Sequence, residues 1–85
     1  MNFSGIASEH MTDPNRHIPV QILREVIKTG KATPDPRGSH AIMYYGKMFR
    51  GTKPYNVEVL YDKISNTVYH FKYSSEALGS LAAIK

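Results

Sequence analysis

The 85-residue chain is 41% hydrophobic, with six Tyr and three Phe, enough apolar material for one small core and too little for two. It has no cysteine, which excludes a disulfide framework and any thiolate metal site, and no apolar run near the ~18 residues of a membrane span. The net charge of +4 is unevenly placed: eight Lys or Arg side chains between Arg16 and Lys53 face only Glu25 and Asp35. A concentrated positive field gathers polyanions, nucleic acid and acidic proteins alike.

The opening "MNFSGIASEHM" lacks a basic start followed by an apolar block, so no secretory signal is expected. "SGIASEHM" can begin a short helix with Ser4 as N-cap and with Phe3, Ile6 and Met11 turned to a core. "TDPNRH" reads as a turn, because proline restricts the residue before it and Asn tolerates tight loops. The clearest helix is "PVQILREVIKTG", residues 19–30. Pro19 suits its first position, Val20, Leu23, Val26 and Ile27 form an apolar stripe, and Gly30 suits its end. "KATPDPRGSH" follows as a loop stiffened by two prolines. Three strands are then predicted, over 41–49, 55–62 and 67–73, joined by connections of hairpin length. A last helical turn is expected from Ser74 or Ser75.

Helical sequence followed by strands predicts an α+β fold: one or two N-terminal helices on one face of a small antiparallel meander of three or more strands. The chain is expected to be a single domain over residues 1–85, with 1–7 and 75–85 flexible. Strand parity assigns the faces. With Val57, Val59 and Tyr61 under the helix, Asn56, Glu58 and Leu60 turn away. Ile42, Tyr44 and Met48 turn inward, and Met43, Tyr45 and Lys47 outward. Tyr69 and Phe71 are placed in the core, leaving Val68, His70 and Lys72 on the open face. A bulge near Gly46 would reverse this parity in the first strand.

Four histidines invite a metal reading, but none are spaced as zinc ligands on a helix, and no metal or other cofactor is expected. Glycine-rich phosphate loops and G-x-S-x-G elbows are also missing. The chemistry that remains is His, Lys, Arg, Tyr and a strand Glu. These suit RNA cleavage, in which the 2′-hydroxyl is the nucleophile. The reaction needs a base, an acid and cations to meet charge gathering at phosphorus. Histidine titrates near neutrality and serves as either base or acid. Singly, each has an ordinary structural explanation: a solvated strand lysine, a turn histidine, or a Glu58 paired across strands. Convergence of Lys47, Glu58, His70 and Lys72 on one face beside a basic loop favours function.

The blocks "EHM", "HIPVQILREVIKTG", "TPDPRG", "GKMF" and "KPYNVEVLYDKISNTVYHFKY" occur in an order similar to C-terminal toxin domains of bacterial polymorphic and contact-dependent inhibition systems. Helices followed by a sheet with a histidine-bearing last strand resemble the barnase/EndoU/colicin/RelE class of ribonucleases. The resemblance covers about residues 8–73 and rests on block order. It implies a metal-independent ribonuclease, most naturally acting on tRNA, carried as the end of a larger secreted toxin into a target cell's cytoplasm. It also implies a cognate, often acidic, immunity protein, and a chain that is monomeric or in a 1:1 complex with it. By type and place it assigns catalysis to His10, Lys47 and His70. Chemistry adds His17 as a catalytic candidate and Arg16, Arg37, Tyr45, Arg50 and Lys72 as substrate-binding candidates; Tyr45 and Tyr69 are stacking surfaces in the competing reading of a module that binds without cutting. The competing expectations are a non-catalytic module that binds nucleic acid or an acidic protein, and a RelE-fold toxin acting on a protein target.

Overall fold

Two helices lie on one face of a five-stranded sheet in the computed structural model, which describes residues 1–76 and 78. The fold is α+β. In chain order the elements are β1 (Asn2–Phe3), α1 (Gly5–Thr12), α2 (Val20–Thr29), β2 (Lys31–Pro34), β3 (Ile42–Arg50), β4 (Lys53–Asp62) and β5 (Thr67–Ser74). The sheet order is β1-β5-β4-β3-β2. The β2–β3–β4–β5 pairs are antiparallel, and β1 joins β5 in parallel. The expected meander is therefore present, widened by a short strand at each edge. The tail turn expected from Ser74 or Ser75 falls mostly outside the described residues; Ser74 itself ends β5.

Ser4 starts α1 as its N-cap: its backbone is extended and its hydroxyl accepts from the Ala7 amide. The same hydroxyl donates to the Tyr69 carbonyl at 3.1 Å, tying the helix start to β5. In α2, Leu23 and Val26 are buried and Ile22 and Ile27 pack beside them. Gly30 closes this helix as expected, but with φ −72° and not in a left-handed conformation. A Cβ there would lie 2.4 Å from the Val26 carbonyl oxygen and 2.5 Å from that of Tyr45. Glycine lets helix end and sheet approach backbone to backbone.

The β3–β4 pairing runs from Ile42↔Tyr61 to Arg50↔Lys53 without a break. Its two-residue turn places Gly51 at φ +64°, a left-handed conformation that glycine adopts readily. Asn66, at φ +52°, turns the chain into β5. Ile18, Leu23, Tyr44, Met48, Val57, Val59, Val68 and Phe71 form the core between helices and sheet.

Two readings of the sequence are corrected here. "KATP" pairs with β3 as an edge strand instead of belonging wholly to the loop. The bulge lies in β5 and not near Gly46: Leu60 faces His70 while Tyr61 faces Val68, so Tyr69 is the extra residue. The slip reverses parity upstream of it. Val68 is fully buried against the helices, and Tyr69 is 42% exposed, the opposite of the predicted faces for both.

Candidate functional site

On the sheet face away from the helices, Glu58 sits mid-β4 with Tyr45 opposite it on β3 and Lys72 opposite it on β5. Regular register with β4 puts His70 on the same face, and its Nε2 lies 2.6 Å from Glu58 Oε2. An ionised carboxylate only accepts, so Nε2 is the protonated nitrogen and Nδ1 is left for other chemistry. The hydrogen bond from His70 holds the Glu58 carboxyl below the usual carboxylate range; burial opposes this, and the His70 and Lys72 charges add to it. The side chains of Glu58 and His70 are 15% and 35% exposed, so the pair is partly desolvated yet reachable.

A cleft of about 490 Å³ opens over this pair, bordered by Ile6, Arg37, Leu60, Tyr69 and Lys72. Arg37 is delivered by a fixed turn. The Asp35 carboxylate accepts from the Arg37 amide at 2.9 Å and the Ser39 amide at 3.2 Å, and the Gly38 amide bonds the Asp35 carbonyl. Hydrogen bonding from Ser39, then from Arg37, holds the Asp35 carboxyl below its ordinary value. Neither Arg37 nor Lys72 is in an ion pair with a carboxylate among the described residues. Their charge faces the cleft.

A second cleft, about 440 Å³, lies at the same strand on its helix side and shares Lys72 with the first. Here the His10 ring stands edge-on against Phe71 with centroids 5.9 Å apart. Arg16 Nη1 donates to His10 Nε2 at 2.9 Å. A guanidinium has no acceptor, so this nitrogen of His10 is the unprotonated one.

The remaining candidates are placed apart. Lys47 is on the open face as expected but borders a separate depression with Pro54, Asn56 and Ser75. His17 is half-buried with Nδ1 3.0 Å from the Met11 carbonyl oxygen, a structural contact. Tyr45 is 6% exposed beneath the Met43–Leu60–Leu78 cluster, which corrects its reading as a stacking surface. Burial first, then the Glu58 charge, pushes its phenol up, with Thr33 opposing. Arg50 Nη1 donates to the Tyr73 hydroxyl at 2.6 Å, beside the second cleft. Tyr73 was missed by sequence reasoning; its only sequence signal was a place at the end of an aromatic strand.

Among the described residues no three His, Asp or Glu side chains converge as a metal site, and no helix is long and apolar enough to cross a membrane. Comparison with family models, curated proteins and solved structures gives no match.

Proposed function

We propose that the chain is a metal-independent endoribonuclease of toxin type, with the open-face cleft as its active site. One observation carries this reading: a carboxylate–imidazole pair at 2.6 Å beneath a cleft edged by Arg37 and Lys72, neither of them in an ion pair among the described residues. Glu58 fixes the His70 tautomer and orientation, as a carboxylate does for a catalytic imidazole in general. His70 Nδ1 takes the proton of a ribose 2′-hydroxyl. The resulting alkoxide attacks phosphorus, giving a 2′,3′-cyclic phosphate and releasing the 5′-oxygen, which takes a proton from the Lys72 ammonium. The imidazolium formed is stabilised by Glu58, and Arg37 meets the charge on the equatorial oxygens.

The block order in the sequence supports tRNA as substrate, delivery from a larger secreted toxin into a target cytoplasm, and an acidic immunity protein seated over the cations. A binding-only module rests on the net charge, the basic loop and the exposed Tyr69, and a RelE-fold toxin with a protein target rests on the resemblance alone. The test is incubation of the purified chain with tRNA in EDTA, comparing His70→Gln. Cleavage with 2′,3′-cyclic phosphate ends, slowed ~10²-fold or more in the variant, is expected. RNA left intact but retained in a salt-sensitive complex would overturn the enzyme reading in favour of the binding module.

A further inference from the structure

We infer that the helix-side cleft is a second site, which binds the phosphodiester backbone of single-stranded RNA beside the cutting site. The inference deepens the ribonuclease reading and rests on it for the identity of the ligand. β1 covers only Thr67 and Val68 of β5, so α1 and the turn after it flank the rest of that strand. Asp13 shapes the turn: its carboxylate accepts from the Asn15 amide at 2.9 Å, and its carbonyl accepts from the Arg16 and His17 amides. Arg16 is thereby set over the cleft.

The decisive feature is how the two arginines are held. Arg16 is anchored on a neutral imidazole nitrogen, and its Asp13 partner stands 3.8 Å away in an exposed pair of little strength. Arg50 is anchored on a phenol, Tyr73, which in turn donates to the Asn15 carbonyl at 2.5 Å. The Arg50 guanidinium also lies 5.2 Å from the Tyr73 ring centroid, and Lys53 Nζ lies 5.1 Å from that of Tyr55. Arg50 is thus oriented without an ion pair among the described residues, and Arg16 with only the exposed Asp13 pair. Planar, pre-positioned cations of this kind suit phosphate oxygens. Arg50 already lies over one Tyr73 face, so recognition falls on the backbone rather than on stacked bases. The volume fits a small polar ligand such as a nucleotide unit. Lys72 borders both clefts, so a single strand crossing the open edge of β5 would meet both.

The test uses a labelled oligodeoxyribonucleotide, which has no 2′-hydroxyl and is not cut, with binding followed by fluorescence anisotropy across salt. Arg16→Gln/Arg50→Gln should weaken binding ~10-fold and lower the slope of log affinity against log salt by ~1.4, about 0.7 for each single-strand phosphate that is no longer neutralised. Arg24→Gln/Lys28→Gln, which removes the same charge from the exposed side of α2, should change affinity no more than about 2-fold. Tyr73→Phe frees Arg50 and should fall between the two. Equal losses in both double variants would overturn the site and leave only diffuse charge. So would an unchanged slope in Arg16→Gln/Arg50→Gln, or displacement of the oligonucleotide by polyglutamate at equal charge concentration. Binding and cutting are read separately, so a chain that binds here but leaves RNA intact defeats the ribonuclease reading and not this site.

Discussion

The two clefts beside β5 each contain one histidine, and the difference lies in what that histidine touches. His70 donates to a carboxylate, so its ring is oriented and a positive charge formed on it is met at once. His10 accepts from a guanidinium, so its ring serves to orient a cation whose charge stays available. The first arrangement suits proton transfer and the second suits holding an anion. One residue type takes two roles because partner chemistry, and not the imidazole alone, sets what each nitrogen can do.

Breaking the comparison at its stronger end gives the largest expected effect. His70→Gln should lower the maximal RNA cleavage rate ~10²-fold or more, whereas His10→Gln should act mainly on half-saturation, both read from rate against RNA concentration. Gly30→Ala tests the frame that sets helices against sheet. The new Cβ meets two carbonyl oxygens, and urea unfolding should report a loss of ~1–3 kcal/mol. Ser4→Ala removes a cap and a tie to the bulged Tyr69 next to His70; it should cost ~1 kcal/mol by the same measurement. The smallest effect is acid sensitivity. Glu58 titrates below its unfolded value, so its contribution to stability is full above pH ~4.3 and is lost as pH falls through the lower folded value. Thermal unfolding of Glu58→Gln should therefore fall less steeply than that of the parent as pH drops from ~5 to ~3, with the Asp35 contribution still present.

Much of this frame was legible in the sequence. The α2 stripe, the Ser4 cap and the β3–β4 parity are local, repeating signals that propensity and period report directly. Parity also brought Glu58, His70 and Lys72 to one face, with the basic loop bearing Arg37 beside it. β2 was hidden because four residues containing a proline carry no alternation of their own; pairing with β3 makes them a strand. The bulge at Tyr69 was hidden because nothing in "NTVYHFKY" marks it, and one extra residue exchanged Val68 with Tyr69 between the faces. Lys47 shares the open face yet sits opposite Asn56, two β3 positions beyond Tyr45, the residue facing Glu58; parity predicts a face and not a distance along it. The second cleft depends on pairings of Arg16 with His10 and of Arg50 with Tyr73, each joining two different segments, so no period within one element reports them.

The division of labour across β5 is tested most directly by single-turnover RNA cleavage in EDTA at increasing protein concentration, with parent, His70→Gln and Arg16→Gln/Arg50→Gln compared. The account predicts that the parent cuts, that His70→Gln loses ~10²-fold or more in the plateau rate with half-saturation little moved, and that the double arginine variant keeps the plateau with half-saturation raised ~10-fold. A parent that leaves RNA intact, or a plateau that collapses in the arginine variant and survives in His70→Gln, would contradict it.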